Sequence, residues 1–193
     1  MFEEIRNKRI ASFCLGDEYI GIVPSEMIKS ANSYSKKIGE LSIVVHFAEV
    51  AHNFYYWTVF LKNNGRVNTE QITNFYGMDI DIPVSGKTLW QSIRGDDCNG
   101  DSFMPLSEEL HEDSVILHEA VEGRSSQHTA FPYFDITSDC GSAVFAVGWT
   151  GQWSYILTRT DNNLSLKAGF TDFDLYLAPG ESVRSVGDRK SVV

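Results

Sequence analysis

The chain is short of cysteine, of long apolar runs, of helical periodicity and of positive charge, and each shortage narrows what it does. Three cysteines in 193 residues, Cys14, Cys98 and Cys140, cannot all pair within one chain. No two of them stand at a metal-ligand or redox spacing, so reduced thiols in the cytoplasm are the expectation. No apolar run approaches the roughly 20 residues needed to cross a bilayer. Met1-Phe2-Glu3-Glu4 has neither the basic start nor the apolar stretch of a signal peptide, so a soluble, unsecreted chain is expected. Lysine and arginine number 16 against 26 acids, a formal charge of -10. Such a field repels nucleic acid and anionic membrane surfaces, and neither is expected as a partner; a neutral sugar is not penalised.

What is present is strand spacing. Ile10–Cys14 and Tyr19–Val23 read as strands around a turn at Gly16-Asp17, and Leu41–Phe47 and Phe54–Leu61 as β-branched, aromatic neighbours in the core. Asn63-Asn64-Gly65 predicts a tight turn. Met78–Ile82 alternates as a strand wet on one face, within a weaker pattern from Ile72 to Val84. Residues 94–112 lack alternation and predict one long connection, of the kind that is often functional. Ser114–Val121 returns to strand character, and Gly123-Arg124-Ser125-Ser126 opens a second loop. Ala143–Trp149, Trp153–Thr160, Asn163–Phe170 and Phe173–Leu177 predict a meander, with turns at Asp161-Asn162-Asn163 and Ala178-Pro179-Gly180. Only Ser25–Ile38 has room for a helical turn. About a dozen strands exceed what one twisted sheet carries, so the expectation is one all-β domain over residues 1–193, a two-sheet antiparallel sandwich with little helix.

Several residue groups carry chemistry. Asp96, Asp97 and Asp101 lie in a glycine-flanked loop that suits calcium or sugar hydroxyls, although the regular ligand alternation of a calcium-hand loop is missing; solvated carboxylates capping backbone amides are an equal reading. Trp149 and Trp153 bracket a short connection in which Gln152 could reach hydroxyls while the indoles stack on pyranose rings; core packing is the competing account. His46, His52, His111, His118 and His128 raise general acid–base chemistry, but their spacing singles out no pair, and no nucleophile-elbow motif is present.

In order along the chain, Gly95–Leu106, Gly123-Arg124-Ser125-Ser126 with Phe131-Pro132-Tyr133-Phe134-Asp135, Ala146–Trp153, and Leu177–Arg184 form four motifs. They resemble, respectively, the Gly-Ser-Asp run ending in Asp-Phe-Gln-Pro, the Gly-Arg-Ser-Ser and Pro-Phe-Phe pair, the Ile-Gly-Trp-Ser-Gly-Gln-Trp turn and the Leu-x-Pro-Gly-Glu-x-x-Arg closing strand of the N-terminal β-supersandwich domain of family 36 glycoside hydrolases, the α-galactosidase-like enzymes. The resemblance spans roughly residues 89–184, and the first 88 residues add no motif. It implies a galactose mutarotase-like β-supersandwich and a non-catalytic module that packs on a catalytic barrel, in cis or in trans.

It implies further that Asp96, Asp97, Asp101, Arg124, Trp149, Gln152 and Trp153 contribute to the rim of a sugar site, with galactosides as ligands and no cofactor or metal. Retaining hydrolysis needs two carboxyls about 5 Å apart, which the family's barrel carries and which nothing here replaces. Two alternatives stand beside this reading. One is a stand-alone carbohydrate-binding protein with Trp149 and Trp153 as an exposed platform. The other is a mutarotase or epimerase-like enzyme with two histidines and a glutamate converging on a concave sheet face. An exposed apolar docking face would also account for a homo-oligomer.

Overall fold

The computed structural model describes residues 5–120, 122–128 and 130–192. Met1–Glu4, Val121 at the end of a predicted strand, Thr129 and Val193 lie outside the described residues. Strands β1 (Ala11–Leu15) and β2 (Glu18–Ile22) form a hairpin in one sheet. A short 3-10 turn at Pro24–Glu26 leads to β3 (Ile28–Ser30), β4 (Ser33–Ile38), β5 (Leu41–Ala51) and β6 (Phe54–Asn63), a meander in the other. The chain then returns to the first sheet with β7 (Ile72–Pro83) and crosses again for the hairpin of β8 (Thr88–Ile93) and β9 (Pro105–Leu110). Strand β10 (Val115–Ala120) joins the first sheet, and β11 (Tyr133–Ser138) and β12 (Gly141–Gly148) the second. The hairpin of β13 (Trp153–Thr160) and β14 (Asn163–Gly169) and the short β15 (Asp174–Leu175) complete the first sheet. Strands β16 (Ser182–Arg184) and β17 (Gly187–Val192) complete the second, where β17 is bonded between β6 and β12.

The result is an all-β antiparallel sandwich of a 7-stranded and a 10-stranded sheet. Alternation explains which side chains meet between them. On β5, Leu41, Ile43, Val45 and Phe47 are buried, and on β6, Tyr55, Trp57, Val59 and Leu61. Phe47 and Trp57, directly opposite in register, stack at 5.8 Å, and the Trp57 indole N–H donates to the Gly77 carbonyl of the facing sheet (2.8 Å). From the facing sheet, Phe13, Phe75, Leu157, Leu164 and Leu166 enter the same cluster. His46 points the other way, exposed and edge-on to Phe60 at 5.2 Å.

The helical turn expected within residues 25–38 is confined to the 3-10 turn at Pro24–Glu26, and the rest of that stretch is the β3–β4 hairpin, anchored by Tyr34, buried against Phe47. Three sequence expectations need correction. The long connection ends at Met104, because Pro105–Leu110 is an edge strand whose Glu108 and Glu109 face solvent and hide its alternation. Asn63 does not begin a tight turn. It is the buried end of β6, and its amide donates to the carbonyls of Val67 (2.7 Å) and Leu177 (2.9 Å), pinning the longer path to β7. The last third is not a meander, since β12 and β13 lie in different sheets and the short connection 149–152 crosses between them.

Candidate functional site

Three connections gather at one end of the sandwich: 94–104 after β8, the described residues 122–128 and 130–132 after β10, and 149–152 after β12. Register puts them there. Phe134 pairs with Ser92, Tyr133 with Ala146, and Ala120 with Trp153, so the ends of β8, β10 and β12 and the starts of β11 and β13 share one edge.

The first two loops are laced together. The Gly95 N–H donates to the His128 carbonyl (2.7 Å), and a Cβ on Gly95 would lie 2.2 Å from the Gln127 nitrogen, so only glycine permits this approach. One oxygen of Asp97 accepts the His128 backbone N–H (3.0 Å) and lies 2.8 Å from the His128 ring Nδ1. Asp96 works within its own loop, accepting from the Cys98 N–H (2.8 Å) and the Ser102 hydroxyl (3.0 Å). The Cys98 amide, then the Ser102 hydroxyl, and Arg124 across the gap hold its carboxyl below the usual range. Ser102 Oγ also accepts from the amides of Asp97 (3.0 Å) and Asn99 (3.3 Å). Asp101 stays exposed at the tip, its N–H bonded to Asn99 Oδ1 (2.8 Å). The side chains of Asp96 and Asp97 are thus engaged by the loops themselves, while Asp101 and Arg124 are exposed. Among the described residues, no three His, Cys, Asp or Glu side chains converge as a metal site.

The second loop contains two residues that the sequence reading did not single out, Glu122 and Gln127, beside His128. Gln127 is buried and donates to Glu122, its Nε2 also lying 3.4 Å from His128 Nε2, and its Oε1 is buried without a partner. In sequence His128 is one of five histidines with no pair singled out; its left-handed backbone (φ 52°) and the acidic loop 31 positions earlier become meaningful only once the strands pair.

The two tryptophans differ in kind. Trp153 is 0% exposed, packed parallel to Tyr155 at 5.8 Å, and its indole N–H donates to the Ser125 carbonyl (3.1 Å). It supports the Arg124 loop from beneath, and the exposed platform of two indoles that the stand-alone carbohydrate-binding alternative requires does not form. Trp149 is half-buried, edge-on to Phe170 at 4.9 Å and under the Arg184 guanidinium at 5.4 Å. Gln152 is exposed beside it. The histidines do not converge either. His118 lies against Trp90 and Tyr155, His46 lies on the outer face of the larger sheet, and His52 and His111 sit in separate connections.

Next to the laced loops, the outer face of the larger sheet carries aromatics in the open. Phe103 meets Phe131 at 6.3 Å and Phe131 meets Tyr133 at 5.7 Å, with Phe103 and Tyr133 about half exposed and Met104 and Val144 beside them. Phe131, Tyr133 and Val144 line a depression of about 570 Å³ across β8, β11 and β12, where partial burial raises the Asp135 carboxyl above its ordinary range.

The architecture is the β-supersandwich. No protein-family model matches the sequence, and no curated protein matches it. Solved structures do match in fold. The galactosidase domain of the alpha-galactosidase-sucrose kinase AgaSK superposes with a TM-score of 0.65 at 14% identity, covering 96% of this chain and 27% of that one. The GH36 alpha-galactosidase AgaA of Geobacillus stearothermophilus gives 0.67 at 14%, covering 95% and 30%, and the alpha-galactosidase of Lactobacillus brevis 0.66 at 12%, covering 96% and 26%. The chain thus has the fold of one part of these enzymes and spans less than a third of their length.

Proposed function

We propose that this chain is the non-catalytic N-terminal module of an α-galactosidase-like glycoside hydrolase, seated on a catalytic barrel and lending its loop end to the rim of the barrel's sugar site. The observation that carries this reading is the exposed Phe103–Phe131–Tyr133 face, which is continuous with the laced loops. An apolar face beside a polar, preorganised edge is what a docked module with a ligand-facing rim requires. The shared fold with part of the GH36 enzymes supports it. Within the rim, Arg124, Asp101 and Gln152 offer donors and acceptors to sugar hydroxyls, Trp149 offers an indole edge, and Asp96, Asp97 and Trp153 hold the loops in place. The carboxylate pair and the barrel that retaining hydrolysis needs lie outside this module.

The test is hydrolysis of p-nitrophenyl α-galactoside by the purified chain, alongside calorimetric titration with galactose, melibiose and raffinose. The reading expects no turnover, and expects Asp97→Ala or Arg124→Ala to abolish any sugar heat. Turnover by the isolated chain would overturn it.

A further inference from the structure

A second concavity lies on the outer face of the smaller sheet, away from the laced loops. Its cause is local. Opposite Asn74–Tyr76 of β7, the register with β1 shifts between Ser12 and Cys14, and the register with β14 shifts between Ala168 and Gly169. Asn74 takes a left-handed backbone at φ 51°, and a Cβ on Gly169 would lie 2.4 Å from the Phe75 carbonyl. Such a bulge bends a sheet and re-aims side chains. The bend here turns an ordinary outer face into a cleft of about 460 Å³, floored by β10, β13, β14 and β7.

One wall is the segment 170–174. Phe170 and Phe173 stack on each other at 5.4 Å, and Phe173 also meets buried Phe75 at 5.3 Å, so this wall is anchored in the core. Its Thr171 hydroxyl oxygen is buried without a hydrogen-bond partner. In the middle of the floor the Lys167 ammonium lies 5.6 Å from the centroid of the Tyr76 ring, and among the described residues no carboxylate pairs with it. Glu119, Asp172 and Asp174 stand around the edge.

This chemistry selects a ligand class. Three carboxylates against one ammonium disfavour an anion such as phosphate. Carboxylates that accept, an ammonium and hydroxyls that donate, and an aromatic ring on the floor suit a neutral polyhydroxylated ring, and the volume exceeds a single monosaccharide. We propose that the cleft binds a neutral oligosaccharide at a site separate from the loop-borne rim. The proposal does not rest on the docking reading, because every residue it uses belongs to the smaller sheet and its wall.

The experiment is an NMR titration of the ¹⁵N-labelled full chain with raffinose, maltotriose and inorganic phosphate. Raffinose or maltotriose shifts the amides of Thr73, Asn74, Tyr76, Ser154, Lys167 and Thr171 saturably, and phosphate does not. Lys167→Ala and Tyr76→Ala each weaken that binding at least about tenfold, while Lys36→Ala, the same charge change on the other sheet, leaves it within about twofold. Should Tyr76→Ala fail to fold, Glu119→Gln on the exposed β10 takes its place with the same expected loss. Absence of cleft shifts with both sugars, a phosphate response in the cleft, or sugar shifts confined to residues 95–101 and 122–128 would each overturn it.

Discussion

Asp97 and His128, 31 positions apart, meet at a single carboxylate oxygen that accepts the histidine's backbone N–H and lies 2.8 Å from its ring Nδ1. This clasp joins the acidic loop to the loop that carries Arg124, so the geometry of the rim depends on it. The histidine side chain is 57% exposed, which limits the energy of the pair but not its effect on loop order. Asp97→Ala is expected to lower stability by about 1–2 kcal/mol in urea unfolding and to speed amide exchange selectively in residues 95–104 and 122–128. Unchanged exchange in the second loop would show that the clasp orders nothing.

Gly95 is the steric half of the same junction. A methyl group there meets the Gln127 backbone at 2.2 Å, a partner that cannot rotate away. Gly95→Ala is expected to separate the loops and cost about 1–3 kcal/mol, the range of overpacking, with loss of the Gly95 to His128 hydrogen bond visible as rapid exchange of the Gly95 amide. A melting temperature equal to the parent's would contradict this.

Asp96 supplies a pH dependence with a definite sign. Its folded value is lowered by the Cys98 amide, the Ser102 hydroxyl and Arg124, so the charged form is favoured in the folded loop. The stabilisation it gives is complete above the ordinary carboxylate value near 3.9 and is lost as pH falls through the lower folded value. The Cys98 amide resonance should therefore titrate below that ordinary value, and in Asp96→Asn this step should vanish. A midpoint at or above the ordinary value would refute the assignment.

Trp153 tests whether the rim is supported from below. Trp153→Phe keeps an aromatic in the core but removes the donor to the Ser125 carbonyl and leaves a gap, for an expected loss of about 1–3 kcal/mol. Trp149→Ala, at a half-buried position, should cost less. The reverse order in thermal melts would mean that the roles of the two indoles are exchanged.

Much of this was legible in the residues because burial leaves a strict signature. Leu41–Phe47 alternates cleanly since one face of the strand is in the core, and Tyr55–Leu61 stands out as an aromatic, β-branched run beside it, so their pairing follows. Strand β9 was not legible: as an edge strand it buries little beyond Leu110, and Glu108 and Glu109 erase the pattern. The allocation of β12 and β13 to different sheets was hidden too, because a short connection reads alike whether it folds back within a sheet or crosses between two. At the site, the acidic loop and the Gly-Arg-Ser-Ser loop were each visible as loops. Their junction was not, since Gly95, Asp97, Gln127 and His128 meet only through the pairing of β8 with β11. Residue type left Trp153 between a ligand platform and core packing; its place at the first position of β13, opposite Ala120, puts it inside.

The most direct test of the central claim is native sizing of the protein from its own cells, with α-galactosidase activity measured across the elution, for the parent and for Phe131→Asp. The account predicts that the parent elutes with glycosidase activity in a larger molecule or assembly, and that a charge placed in the Phe103–Phe131–Tyr133 face dissociates it or strips it of activity. A parent that elutes alone at 21.7 kDa, with no glycosidase beside it and an elution unchanged by Phe131→Asp, would contradict the account.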